Sequence, residues 1–139
     1  MPQNKSIKRN VFPSQALAAS STTTSANQQS FFERGVRLYL TISAVTAGGG
    51  TDTVFLCAVA PGTVTPIPLA GFSAANLLST VGTFIVDFYP SGQLSSTNVA
   101  SNAKFIGVHG VTVPVTWAVQ LKIGAGNAAT IVVDAELLP

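Results

Sequence analysis

The amino-acid sequence predicts an all-β protein: a single β-sandwich, jelly-roll-like or immunoglobulin-like, with six or seven strands and an extended N-terminal arm. Three observations lead to this prediction. Apolar and polar residues alternate along several short runs, turns rich in glycine or proline separate these runs, and no convincing long helix is present. A chain of 139 residues suits one domain with its own hydrophobic core.

Residues 1–30 are predicted to form the arm and residues 31–139 the sandwich. The segment STTTSANQQS, residues 21–30, is polar and of low complexity, with neither a strand period nor a helix period. Lys5, Lys8 and Arg9 make the arm basic, whereas the remainder of the chain is close to neutral. A fully extended arm would reach up to about 100 Å, far beyond the radius of gyration of about 13 Å expected for the domain.

The first strand of the sandwich is predicted in RGVRLYLTISAV, residues 34–45. Alternation places five apolar residues on its buried face: Val36, Leu38, Leu40, Ile42 and Ala44. The run TVFLCAVA, residues 53–60, is apolar on both faces and predicts a central strand, in which Cys57 is a small core residue. The proline-rich PGTVTPIP that follows predicts a loop or an irregular edge.

The middle of the chain is less regular. GFSAANLLST predicts a short irregular element, and TFIVDFY predicts a strand with Phe84, Val86 and Phe88 inward and Asp87 outward. The polar segment PSGQLSSTNVASNA predicts a long loop, which in a compact domain is often functional.

The end of the chain predicts a hairpin, because the turn GAGN joins two alternating runs. The inward residues of the first run would be Val115, Trp117, Val119, Leu121 and Ile123. Those of the second run would be Ile131, Val133, Ala135 and Leu137.

The residues needed for catalysis are scarce, so we expect no enzyme, no cofactor and no metal. One cysteine and one histidine cannot supply the four ligands of a structural zinc site. His109 would be the sole imidazole base, and it lies in a glycine-rich bend. Asp134 and Glu136 share one face of a strand and could bind a cation, although the outward face of a terminal strand is where solvated charges ordinarily lie.

The overall composition points to partners. Charged residues make up only 9% of the chain, against about 25% in typical proteins, and the mean hydropathy is +0.45. Such a composition favours a surface partly covered by other chains. No apolar run reaches the roughly 18 residues of a membrane helix, and three basic residues are too few for a dedicated nucleic-acid binder.

Three segments together resemble a family of small tailed-bacteriophage virion proteins of the head decoration or cement type. They are RGVRLYLTISAVTAGGGTDTVFLCAV, VGTFIVDFYP and VPVTWAVQLKIGAGNAATIVVDAELL. The shared features are an opening RGV strand, a middle strand ending in Tyr-Pro, a Thr-Trp pair before the penultimate strand, and a glycine turn into a final A-x-L-L strand. The likeness covers residues 34–138 and not the arm. It implies a virion protein, made in the host cytoplasm, that binds and stabilises the major capsid protein lattice and has no catalytic residue.

On this hypothesis the arm pairs with a sheet edge on a neighbouring subunit, and the protein also self-associates as a dimer or trimer. The residues expected to dock are Lys5, Lys8, Arg9, Phe31, Phe32 and Arg34, although the two phenylalanines could equally cap their own core. Two alternatives remain open: a small self-assembling viral coat protein whose basic arm faces the genome, and a tail or fibre module that binds carbohydrate through the long loop.

Overall fold

The structure, a computed structural model, describes residues 8–30, 33–60, 62–90, 97–100 and 103–139, with the backbone only at residues 97–100, 103, 104 and 109. The described strands are β1 (Lys8–Leu17), β2 (Thr22–Thr24), β3 (Gln28–Gln29), β4 (Gly35–Thr46), β5 (Thr51–Val59), β6 (Pro66–Ala75), β7 (Gly82–Tyr89), β8 (Thr97–Ala100), β9 (Ala103–His109), β10 (Thr116–Lys122) and β11 (Ala128–Leu138). They form two sheets packed against each other, which confirms the predicted all-β sandwich. The described part of the chain has more strands than the six or seven predicted.

The six-stranded sheet has the order β1-β11-β4-β7-β9-β8, and its neighbours are antiparallel except β7 and β9, which run parallel. The five-stranded sheet has the order β2-β10-β5-β6, with β3 also paired to β10. The strand β5 lies between β10 and β6, as expected for the central strand predicted in TVFLCAVA.

The inward faces of the two sheets form one hydrophobic core. Val36, Leu38 and Leu40 of β4 are fully buried, in agreement with the predicted alternation, and so is Trp117 of β10. The alternation ends sooner than predicted, because Ala44 is exposed and has a φ of 49°. A bulge in the pairing of β4 with β11 accompanies this left-handed residue and turns the end of the strand away from the core.

The N-terminal segment differs most from its prediction. The sequence predicted an arm over residues 1–30, but residues 8–30 lie in the two sheets: β1 pairs with β11, and β2 and β3 pair with β10. The physical reason is that β1 carries its own apolar residues, since Val11, Phe12 and Leu17 are at most 4% exposed. Register shifts on either side of Phe12 accommodate Pro13 at the edge of the sheet. The sandwich therefore includes residues 8–30, and residues 1–7 lie outside the described residues.

The predicted terminal hairpin is wrong. The strands β10 and β11 follow each other in the chain, but β10 belongs to the five-stranded sheet and β11 to the six-stranded sheet. Their apolar faces meet across the core, so the turn GAGN joins two layers and does not join two paired strands. Val115 is also misplaced by the prediction, because it lies before β10 begins and is 65% exposed.

Two glycine-rich turns pack against each other at the end of the sandwich opposite Arg34. A Cβ on Gly48 would lie 2.5 Å from the carbonyl oxygen of Gly126, and a Cβ on Gly50 would lie 2.4 Å from that of Ala125. Only glycine permits backbones to approach this closely. The fully buried carboxylate of Asp52 holds the turns together by accepting hydrogen bonds from the Leu78 and Gly124 amides, the Ser79 hydroxyl and the Asn127 side chain, at 2.8–3.1 Å.

Three further segments differ in part from their predictions. The first half of GFSAANLLST belongs to β6, which also includes the end of the proline-rich PGTVTPIP, so that segment is in part an edge strand. The long predicted loop contains the short strand β8 at its centre. Cys57 is buried as predicted, but it pairs with Ala118 and so lies on the outer face of its sheet, because the neighbouring pair Val119 and Leu56 points into the core.

Candidate docking surface at the Arg34 end

One end of the sandwich, here called the Arg34 end, is where β4 begins and where β11 and β7 finish. Gly35 pairs with Leu138, and Val36 pairs with Phe88. The backbone of Arg34 continues this pairing, since its amide donates to the carbonyl of Leu138 at 2.9 Å. The Val113 amide donates to the Arg34 carbonyl at 3.0 Å. Arg34 is thus held in place by its backbone while its side chain is exposed.

The same end includes the edge of the five-stranded sheet where β5 finishes and β10 begins. Residues 110–115 leave the six-stranded sheet, and β10 then starts at Thr116 in the other sheet. Trp117 pairs with Ala58, and Ala58 pairs with Ile67, so the loop between β5 and β6 lies beside the start of β10. The Ser30 amide donates to the Val115 carbonyl at 2.8 Å, which brings the third N-terminal strand to this end as well.

Exposed apolar side chains collect at the Arg34 end. Val64, in the loop between β5 and β6, is 86% exposed, and Val115 is 65% exposed. Ile67, at the adjoining start of β6, is 54% exposed. Covering a side chain of this size stabilises a complex by about 1.5–3 kcal/mol. No sequence pattern pointed to Val64, which lies in a proline-rich loop, and the period of two placed Val115 in the core.

The described members of the predicted docking set also lie at this end. Lys8 pairs with Glu136, two residues before Leu138, and Arg9 donates from its Nη1 to the carbonyl of Gln29 at 2.9 Å. This hydrogen bond links the edge strands of the two sheets. Together with Arg34 they place three cations at the same end of the sandwich as the exposed valines. Lys5, Phe31 and Phe32 lie outside the described residues.

Charges of alternating sign cross the outer face of the six-stranded sheet near the Arg34 end. In register on four neighbouring strands lie Lys8, Glu136, Arg37 and Asp87. Arg37 donates from Nε and Nη2 to the two oxygens of Asp87, each at 2.8 Å, and Asp87 is fully buried. The hydrogen bond to Asp87 is the main reason that the pKa of Arg37 is raised above its ordinary value. The guanidinium also lies 5.6 Å from the ring centre of Phe105.

An open cavity of about 400 Å³ lies on the same outer face. Its lining residues are Lys8, Arg9, Asn10, Tyr39, Thr41, Thr83 and Asp134. Asn10 donates to the carboxylate of Asp134 at 2.9 Å, and the ammonium of Lys8 lies 5.6 Å from the Tyr39 ring centre. The lining offers hydrogen-bonding groups and one aromatic ring but no nucleophile paired with a base.

The carboxylates on the outer face of β11 each have polar or charged neighbours. Asp134 is bonded to Asn10, and Glu136 lies in register between Lys8 and Arg37. Burial raises the pKa of the Cys57 thiol to about 11, so that the thiol is protonated at neutral pH. The described residues contain no cluster of three or more His, Cys, Asp or Glu side chains suited to a metal ion. The side chain of His109 is outside what the structure describes.

Comparisons with known proteins find no relative: no protein-family model, no curated protein and no solved structure matches this chain. Within the described residues, no helix is long and apolar enough to cross a membrane.

Proposed function

We propose that this chain is a bacteriophage capsid decoration protein that binds the major capsid protein lattice through its Arg34 end. The observation that carries the proposal is that Val64 and Val115, the two most exposed large apolar residues described, lie at the same end of the sandwich as Arg34, Lys8 and Arg9. Exposed apolar side chains together with arginine are common in protein interfaces. The resemblance of residues 34–138 to head decoration proteins supplies the kind of partner.

The rigid sandwich supports a mechanical role. Its two sheets share one core, its glycine turns are tied by Asp52, and its outer face carries an alternating charge row. A rigid block loses little conformational freedom on docking, so more of its contact energy remains for binding. Many copies on one shell would then add their attachments to the stability of the lattice.

The proposal differs from the sequence prediction in its docking element. The prediction used a detached arm, whereas residues 8–30 pair with β10 and β11 of their own chain. Docking is therefore assigned to side chains that the folded sandwich presents. The cations at the Arg34 end would meet acidic groups on the capsid, an interaction that salt weakens.

The first test is whether the chain is present in purified virions, by mass spectrometry of particles separated on a density gradient. The second test measures cosedimentation of the purified chain with capsids assembled without it. The double variant V64D/V115D should bind at least about tenfold more weakly, because two apolar contacts are replaced by buried charges.

Val81 provides the matched control for this experiment. It is 53% exposed, but it precedes Gly82, which pairs with Ile42 at the opposite end of β4. The V81D variant should therefore bind capsids as the original chain does. Equal binding by V64D/V115D and the original chain would reject the Arg34 end as the docking surface, and absence from virions would reject the proposed function.

A second candidate function, a carbohydrate-binding module, is favoured by the open cavity around Tyr39. Aromatic faces with neighbouring amide and carboxylate groups suit sugar rings. Under this alternative a glycan array would give a ligand whose binding is lost in Y39A. An array without hits would discard it.

A further inference from the structure

The strand β6 forms an edge of the five-stranded sheet. It pairs with β5 on one side, and no described strand pairs with its other side. Its ten residues form a long edge, along which backbone amides and carbonyls have no sheet partner among the described residues. Such a row is a template for pairing with another strand.

The backbone hydrogen bonds between β5 and β6 show which backbone groups of β6 point toward its open edge. The amide of Asn76 donates to the carbonyl of Gly50 at 2.9 Å, so these two residues form a bonded antiparallel pair. Bonded pairs alternate with non-bonded pairs along an antiparallel ladder. The backbone groups of Gly71, Ser73 and Ala75 therefore point away from β5, toward the open edge.

The two halves of β6 differ in how well they are protected against pairing with another strand. Pro66 and Pro68 lie in the first half, where proline removes amide donors and discourages pairing. The second half, Leu69–Ala75, has no proline, no lysine and no other charged residue. The bulge between β5 and β6 ends before Ala70, so residues 70–75 pair with β5 in a regular ladder. This part of the strand therefore lacks the proline, charge and bulge that commonly prevent pairing at a sheet edge.

The charge pattern favours a second copy of this chain as the partner. In an antiparallel pair about a two-fold axis, residues near the axis lie opposite the same residues of the other copy, so a charge there would repel its equivalent. The segment Leu69–Ala75 avoids this penalty because it is uncharged. The edge strand β1 lacks this property, since it begins with Lys8 and Arg9.

We infer that β6 pairs with β6 of a second copy, antiparallel and centred on Ser73. This register uses all three outward-pointing residues, because it sets Ser73 opposite Ser73 and Gly71 opposite Ala75. The half-buried ring of Phe55 lies against Gly71 on the outer face of the sheet, and it would extend apolar contact across the new pair. The two five-stranded sheets would become one continuous sheet. This inference does not depend on the proposed function.

The test replaces Ser73 by a residue of either charge and measures the oligomeric state of the full chain by sedimentation equilibrium. The original chain is expected to be a dimer. The variants S73K and S73E should each be monomeric, with the dimer dissociation constant raised at least about tenfold by like charges at the two-fold axis. An equimolar mixture of the two variants should restore a dimer, because opposite charges then face each other. Circular dichroism of each variant checks that the fold is kept.

The S73A variant is the matched control. Ser73 hydrogen bonds through its hydroxyl to Thr53 at 2.7 Å, and S73A removes this bond without adding charge. It should remain a dimer. A monomeric original chain, or an oligomer that S73K leaves unchanged, would overturn the inference. Loss of the dimer in both charge variants without recovery on mixing would also overturn it, because a partner other than a second copy would then occupy the edge.

Discussion

Arg37 and Asp87 form a bidentate ion pair between β4 and β7, with both nitrogen–oxygen distances at 2.8 Å. The carboxylate of Asp87 is fully buried, whereas the side chain of Arg37 is 30% exposed. The pair lies directly opposite in the register of the two strands, so it stabilises the alignment of the central part of the six-stranded sheet.

The R37A variant should lose about 3 kcal/mol of unfolding free energy, since breaking a buried pair leaves an uncompensated charge. The double variant R37M/D87L should lose less, because neither charge then remains. Urea denaturation of the single and double variants measures the difference. A loss below about 1 kcal/mol for R37A, the range of a surface pair, would contradict the structural role assigned here.

Asp52 is predicted to be essential for the glycine turns. The D52A variant would leave the Gly124 and Leu78 amides without their acceptor, and it would remove one of the two hydrogen bonds that the Asn127 side chain donates. Since each unsatisfied buried group costs about 1–3 kcal/mol, the total loss should be at least about 3 kcal/mol by thermal or urea unfolding. D134N is the comparison, because Asp134 accepts one described side-chain hydrogen bond from Asn10 at the surface. Similar losses of unfolding free energy in D52A and D134N would contradict a special stabilising role for the buried hydrogen bonds of Asp52.

Phe12 tests the place of the N-terminal segment. It is 2% exposed and lies in the common core, so F12A should lower the unfolding free energy by about 3–5 kcal/mol. The neighbouring S14A variant, at an exposed position of β1, should change it by less than about 0.5 kcal/mol. A detached arm would instead make F12A as neutral as S14A.

Because the Cys57 thiol is buried, we expect the unfolding free energy to depend on pH. Its folded pKa is raised from 9.0 to about 11, so the folded state holds the thiol proton more tightly than the unfolded state does. The stabilisation is complete below pH 9, and it declines as pH rises through 11. Because other groups titrate in the same range, the quantity to measure is the difference in unfolding free energy between the original chain and C57A. This difference should move in favour of C57A as pH rises, and a constant difference would contradict the raised pKa.

The strands with strict alternation were predictable in detail. Leu38 and Leu40 of β4, and Trp117 of β10, point into the core because side chains of a strand alternate between its faces. The candidate site was predictable only in part. Arg34 and Arg9 were predicted to dock because of their charge. The exposure of Val64 and Val115 is evident only from the positions of the loops in the structure.

The sequence by itself determined the class of fold, since a period of two along apolar runs has no other compact solution than packed sheets. Only the tertiary structure decided which strands pair. The turn GAGN has the sequence of a hairpin turn, yet β10 and β11 lie in different layers, where β10 pairs with β5 and β11 pairs with β4. Polar residues 21–30 likewise carry no periodic signal, but their backbone amides and carbonyls can complete the edge of β10. Backbone hydrogen bonding is common to all residue types, and so composition does not reveal where it will be satisfied.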